Sequence, residues 1–262
     1  MKILVTVKAV GRLDDEFELA DGIDDRDVTT ELDEWDESAL DAAAELRGAE
    51  DDTEVVTVTI GPERVEETIR QALAKGPDRA IRIWDDALAE HDFLDPATKA
   101  RLLAAVVRAE TPDLVLTGVQ SADEGFGATG VTLAERLDFA WAAVVNDIEL
   151  DRAAGVAAVH RQLEGGIEEL TEVDLPAVLT VQTGITDRQY ASLGAVRAAQ
   201  NKELSVRSLA DLGLSAGDVE SPLNQTGLSK PEADGETTFF DGSSEETATE
   251  LATLLREQGV GR

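Results

Sequence analysis

Short apolar runs alternate with stretches of helical spacing through the first half of this chain, and brief connections join them. Residues 2–7 (KILVTV), 54–60 (EVVTVTI), 79–84 (RAIRIW) and 113–117 (DLVLT) read as buried strands. Between them, Trp35, Ala39, Ala42, Ala43 and Leu46 share one helical face. Val65, Ile69, Ala72 and Leu73 form a second, and Leu102, Leu103, Val106 and Val107 a third. Acids open the first helix and Gly48 follows it. Pro62 fits a first helical position, Asp95-Pro96 opens the third helix, and Thr111-Pro112 stops it. Connections this short leave few topologies open. The pattern predicts an α/β fold with a doubly wound, mainly parallel sheet. In such sheets ligands bind outside the carboxyl ends of the strands. The expected places are residues 6–8, Ile60-Gly61 and the loop after Thr117.

That loop, 118–130, reads GVQSADEGFGATG and leads into a segment with helical spacing. A loop between a strand and a helix start can offer free backbone N–H groups at the positive end of the helix, where a phosphate can sit. Gly125, Gly127 and Gly130 let backbone come close to a ligand, and Thr129 adds a hydroxyl. The same pattern also suits an ordinary α/β connection. It matches neither the Walker P-loop spacing nor the G-x-G-x-x-G fingerprint.

Beyond Asp138 the style changes. Residues 148–173 read as paired strands around a turn at Glu164-Gly165-Gly166, and 175–181 as another apolar strand. Residues 10–20 read as a loop or short hairpin, and 21–30 as an acidic, turn-rich stretch. Residues 188–200 fit a short helix or an exposed loop, and 208–212 a short helix. Residues 220–240 form an arm with little apolar content, and Ser243 and Glu246 make a capping box before a C-terminal helix. The expected organisation is a nucleotide-binding domain over 1–212 and an arm with a helix over 213–262, the latter lying on a partner.

Charge narrows the function. The chain carries 55 acids against 23 bases, a net charge of -32, spread along its length. Phosphate-backbone binding needs a basic face, so a nucleic-acid role is not expected. An acidic shell suits a high-salt interior, where the Debye length falls to about 3 Å and self-repulsion is screened. A halophilic protein is therefore expected. No cysteine exists to form a disulfide or to ligate zinc or an iron–sulfur cluster, and two histidines cannot build a histidine-rich centre. No apolar run reaches membrane-span length and no secretory pattern opens the chain, so membrane insertion is not expected and a cytoplasmic location is. His160 reads as a strand residue, His91 as part of a polar loop, and Trp84 and Trp141 as core or interface aromatics.

Four stretches together resemble the β subunit of electron transfer flavoprotein. They are the opening strand through Lys8; residues 33–42 (DEWDESALDA); Gly118, Gln120 and Asp123 through Thr129-Gly130; and Arg161, Glu164 to Gly166, Leu175 to Thr180, Arg188, Tyr190 and Leu193. The resemblance covers roughly residues 1 to 212. It implies the Rossmann-like, adenine-nucleotide-binding type of fold and a heterodimer with an α subunit. It also implies one redox FAD shared with that subunit and a buried AMP in this one. The implied electron donors are flavin dehydrogenases, notably acyl-CoA dehydrogenases, and the acceptor is a membrane quinone oxidoreductase. The chain would then be an electron carrier rather than an enzyme.

The nucleotide contacts implied by the resemblance fall on Thr6, Asp33, Glu34, Trp35, Asp36 and Ile60. In the loop they fall on Gly118, Val119, Gln120, Ser121, Ala122, Asp123, Glu124, Gly125, Phe126, Gly127, Ala128 and Thr129. Leu193 matches the leucine that anchors the partner dehydrogenase; read from the residues alone, it could equally pack on its own core. Asp33-Glu34 replaces the family's Asn-Pro, and Gly127-Ala128 an Asn-Gln pair. Gln162 stands where some members carry a glutamate that pairs with the α subunit. Two other readings share these features. One is an electron-bifurcating form with a second FAD in this subunit and NADH as donor. The other is a stand-alone adenine-nucleotide sensor, which would need neither the 161–193 segment nor the arm.

Overall fold

The structure, a computed structural model, describes residues 1–13, 17, 19, 28–48, 52–91, 93–230 and 237–260. They form two compact units, Met1–Gly227 and Leu228–Arg262. Of the acidic stretch expected over 21–30, residues 21–27 lie outside the described residues, as do 231–236 of the arm.

The first unit is built on one sheet. Its strands are β1 (Lys2–Thr6), β4 (Glu54–Ile60), β5 (Arg79–Ile83), β6 (Leu114–Gly118), β7 (Ala140–Asp151), β8 (Val156–Leu163), β9 (Ile167–Asp174), β10 (Ala177–Val181) and β11 (Glu203–Arg207). A hairpin of β2 (Ala9–Leu13) and β3 (Val28–Leu32) stands apart from it. The sheet order is β11-β5-β4-β1-β6-β10-β7-β8-β9. The first seven run parallel, and β8 and β9 close the edge as an antiparallel meander. The doubly wound, mainly parallel sheet expected from the sequence is what forms. Residues 28–30, expected in a turn-rich stretch, are instead in β3, paired with β2. Two further strands went unpredicted, β11 and the first half of β7.

From β1 the chain winds outward through β4 to β5, then returns to place β6 on the other side of β1. The strand order reverses between β1 and β6, which opens a crevice at their carboxyl ends. Helices cover both faces. Ile3 and Val5 of β1 pack with Ala39, Leu40 and Ala43 of α1 (Glu34–Arg47). Leu4 faces the other way, among Leu102, Leu103 and Val106 of α3 (Pro96–Glu110) and Leu133 of α4 (Thr129–Leu137). Ile3, Leu4 and Val5 are all buried, and by alternating between the two faces of the sheet they supply both cores. A third cluster joins Ile69 and Leu73 of α2 (Glu66–Ala74) to Ala80 and to Ala199 at the end of α5 (Leu193–Ala199). Pro62 precedes a 3-10 turn that leads into α2 rather than opening the helix itself.

The opposite, amino ends of β1, β4 and β5 are tied by charge. Arg79 binds Glu54 at 2.8 Å and Glu110 at 2.5 Å, and Lys2 binds Glu110 at 3.0 Å. The hydrogen bond from Arg79 holds the carboxyls of Glu54 and Glu110 below their usual range.

The second unit carries α6 (Ser244–Glu257). Ser243 and Glu246 form the expected capping box, the Ser243 N–H and hydroxyl donating to Glu246 at 2.8 and 2.7 Å. No residue of α6 is buried, and Leu251 and Leu255 are 45% and 41% exposed.

A candidate nucleotide cleft at the strand ends

A cleft of about 500 Å3 opens at the reversal point between β1 and β6. That volume lies within the range of small-molecule and cofactor sites. The carboxyl ends of β1, β4 and β6 supply its floor with Thr6, Ile60, Thr117 and Gly118, and the loop after β6 supplies one wall.

Two aspartates of the α1 entrance build this arrangement. Asp33 caps α1, accepting the Trp35 N–H at 3.0 Å, and its second oxygen accepts the Ala122 N–H at 2.8 Å. Asp36, one turn on, is buried. Its oxygens accept the N–H of Lys8 at 2.7 Å and of Gly118 at 3.0 Å. One carboxyl group therefore bridges the ends of the two strands that flank the reversal. Burial pushes Asp36 up to about 8 and the nearby Asp33 charge adds to it, against the pull of the two N–H donors and of Lys8. Burial likewise raises Asp33, against the N–H groups of Ala122 and Trp35. Gly118 makes this fit possible, because a Cβ there would stand 2.6 Å from Trp35 Cβ and 2.8 Å from Asp36 Oδ1.

The loop wall ends at α4. This helix begins at Ala128 with no side-chain cap and no acid in its first turn, and Thr132 N–H is bonded back to Ala128 O. The preceding N–H groups at the helix start have no partner inside the helix, and here they meet the cleft. Gly127 and Gly125 take φ of 60° and 63°, which shapes the approach. Gly130 has another purpose than the expected approach to ligand. A Cβ on it would stand 2.6 Å from both Thr117 and Thr180, so glycine lets α4 settle onto the sheet.

Positive charge gathers here despite the chain's overall acidity. Two of its six lysines, Lys8 and Lys99, line the cleft together with Arg64. Lys8 Nζ lies 2.5 Å from Asp123, 3.1 Å from Glu124 and 3.2 Å from Ser121 Oγ, and Lys99 also binds Glu124. Burial lowers the Lys99 pKa, opposed by Glu124. Part of the lining is apolar and aromatic. Trp84, Leu88 and Leu94 belong to it, and the rings of Phe93 and Phe126 stack with centroids 6.5 Å apart. The cleft thus pairs a charged, N–H-rich part with a flat apolar part, as a nucleotide's phosphate and base require.

Thirteen of the eighteen expected contact residues line this cleft, and they do so together: Thr6, Asp36, Ile60, Gly118 to Ser121, Asp123, Glu124 and Phe126 to Thr129. The other five stand off it. Asp33 works from behind as a cap and clamp, Glu34 is exposed on the first turn of α1, and Trp35 Nε1 donates to Gln182 at 3.2 Å. Ala122 serves through its N–H to Asp33, and Gly125 sits in the outer turn of the loop. Sequence reasoning placed Lys8 at an expected strand end without giving its side chain a role, and it missed Arg64, Phe93 and Lys99. It set His91 aside as a polar-loop residue, yet His91 lines the cleft. Lysine scarcity was the one available signal for Lys8 and Lys99. His160 is on β8, 3.5 Å from Glu168, as a strand residue should be.

Away from the cleft, Leu193 opens α5, capped by Ser192, and is 80% exposed beside Tyr190 at 82%. The core-packed reading of Leu193 is excluded. Trp141, expected in a core or interface, is 51% exposed.

Comparison with known proteins follows the same lines. Residues 22–212 match a family described as the electron transfer flavoprotein domain. The chain is 40% identical to the electron transfer flavoprotein subunit beta of Methylophilus methylotrophus, covering 98% of both chains. It is 32% identical to the mitochondrial electron transfer flavoprotein subunit beta of Arabidopsis thaliana, covering 88% of this chain and 90% of that one. It is also 32% identical to the caffeyl-CoA reductase-Etf complex subunit CarD of Acetobacterium woodii, covering 86% of each.

Proposed function

The chain belongs to the electron transfer flavoprotein family, on the side of its β subunits, and from that premise we propose that it is half of a heterodimeric electron carrier. Its partner is an α subunit with which it shares one FAD. The flavin supplies the redox chemistry, and this chain supplies binding, orientation and a docking surface. Electrons come from flavin dehydrogenases, acyl-CoA dehydrogenases among them, and leave to a membrane quinone oxidoreductase. Among the described residues no helix is long and apolar enough to cross a membrane. The cytoplasm and a high-salt interior are the setting that the charge favours.

The cleft holds AMP in this reading. The uncapped first turn of α4, with the N–H groups near Thr129 and the Thr129 hydroxyl, takes the phosphate. Thr6 and Ile60 frame the base from the strand ends. Asp123 and Glu124 already neutralise Lys8 and Lys99, which limits the charge the cleft can accept and favours a monophosphate over longer phosphate chains.

One observation carries the choice of subunit over solitary sensor. The C-terminal unit presents an amphipathic helix with no buried residue, and Phe239 before it is 84% exposed. Apolar surface of that kind needs a partner. Residues 213–262 act as the arm that provides it.

The deciding experiment is co-expression with the α-subunit candidate at high salt, followed by release and quantification of nucleotides. One FAD and one AMP per heterodimer is the expected result. Two FAD would replace it with the bifurcating form, and a monomer carrying ATP without flavin would sink the proposal in favour of a sensor.

A further inference from the structure

The exposed segment 188–196 has almost no apolar support of its own. Leu193, Tyr190 and Val196 are 80%, 82% and 43% exposed, and a cleft of about 920 Å3, lined by Tyr190 and Val196 but not by Leu193, opens between the segment, α2 and β3. Its far end is fixed: Arg70 donates to the carbonyls of Ala199 and Lys202 at 2.9 and 2.7 Å, and Ala199 is buried. Its near end is held by charge. Lys75, at the carboxyl end of α2, has a side chain only 5% exposed. Its Nζ lies 3.1 Å from Glu37 and 3.0 Å from Asp41, both on α1, and it donates to the Gln189 carbonyl. Asp41 in turn accepts the Gln189 N–H at 3.2 Å, so the Gln189 peptide is gripped from both sides. Arg188 reaches Glu37 at 2.6 Å and lies over the Tyr190 ring at 5.5 Å.

We propose that Lys75, with Glu37 and Asp41, is the positioning device that holds the Leu193 knob in its docking geometry. The inference rests on the reading of Leu193 as the contact for a flavin dehydrogenase. A loop held in its bound shape before contact loses less freedom on binding, and a buried ion pair fixes one geometry where apolar packing is missing. The location also matters for salt. Exposed rim charges are screened within a few ångströms at molar ionic strength, whereas a pair as buried as Lys75–Asp41 is screened far less. The device therefore keeps the knob in place where surface charge steering is weak.

The test uses the purified heterodimer with Lys75→Met, and with Asp41→Asn as a milder second variant that keeps the Gln189 N–H acceptor. Two readouts are taken: the rate of tryptic cleavage after Arg188, and steady-state kinetics with the cell's own acyl-CoA dehydrogenase reduced by its acyl-CoA. We expect cleavage after Arg188 to quicken about tenfold, and the apparent KM for the dehydrogenase to rise about tenfold with kcat and nucleotide content unchanged. Unaltered cleavage and KM in either folded variant would overturn the proposal. Leu193→Ala separates the two layers. If it leaves the dehydrogenase KM untouched, the docking reading falls, while the cleavage rate still judges the positioning role.

Discussion

Asp36 Oδ1 accepts the Gly118 N–H at 3.0 Å, and the same oxygen lies 2.8 Å from where a Cβ on Gly118 would stand. The hydrogen bond and the missing side chain are one arrangement, since the first requires the second. Gly118→Ala should therefore push Trp35 and Asp36 off the end of β6. Overpacking of this kind costs about 1–3 kcal/mol. Urea unfolding should show that loss together with reduced nucleotide retention. Full stability with full retention would mean that α1 can back away freely, and the clamp would not be as described.

Asp36 should also write itself into the pH dependence of stability. Its folded pKa is raised from 3.8 to about 8 by burial and by Asp33. The folded state then holds a proton that the unfolded chain releases near pH 4. Its contribution is fully present below that and is lost as pH rises toward 8. Within the window the slope is about 1.4 kcal/mol per pH unit. Asp36→Asn removes the titration and leaves one strand-end N–H poorly matched. The variant should be less stable than the parent at pH 5, with the gap narrowing steadily toward pH 8. A gap that stays constant across that range would show that Asp36 is ionised throughout.

Arg79 should act with the opposite sign. It holds Glu54 and Glu110 below their usual range, so their contribution is present above about pH 4.5 and is lost as pH falls further. Arg79→Met should destabilise the protein at neutral pH and lessen its sensitivity to acid below pH 5. Unfolding midpoints from pH 3 to 7 measure both effects. An acid limb identical to the parent's would remove this network from the account.

The bare start of α4 permits a test in which stability and binding part company. Ala128→Asp puts an acid at the N-terminus of a helix that has none there. Such acids stabilise a helix by about 0.3–1 kcal/mol, yet this one would repel a phosphate bound at the same N–H groups. The nucleotide-free protein should unfold no earlier than its parent, while retained AMP falls at least tenfold. Retention at the parent level would place the phosphate elsewhere in the cleft.

Much of this was legible because buried parallel strands leave a plain mark. Residues 54–60 and 113–117 show apolar runs bounded by turn residues, and they became β4 and β6. The three strand ends chosen from topology alone meet in one cleft, because a sheet that reverses its order can open only there. What stayed hidden has physical causes. β11 lies at the sheet edge with no buried residue, so no apolar run announced it. The start of β7 is alanine-rich, and alanine, the strongest helix former and a poor strand former, hides a strand. Arg64 is far in the chain from Phe93 and Lys99, and only tertiary packing brings them to one cavity. Asp33 and Asp36 were legible as ligand contacts by resemblance. Their hydrogen bonds to Ala122, Lys8 and Gly118 show them shaping the loop that forms the cleft.

β7 has one more consequence. Its first half pairs with β10 in parallel and its second half with β8 in the opposite sense, and the change falls beside Val144, a β-branched residue at φ 61° whose N–H is taken up by Thr180 at 2.9 Å. The chain thus passes from the parallel part of the sheet to the antiparallel part inside a single strand. On one side lies the parallel body with the cleft; on the other lies a three-stranded flap whose β9 has no second partner strand among the described residues and whose Ala157, Val159 and Val173 pack into the core shared with β1. Amide protons should exchange in two tiers that divide near Val144, the flap opening at lower free energy than the body. A nucleotide bound in the cleft would then stay protected through excursions that lift the flap.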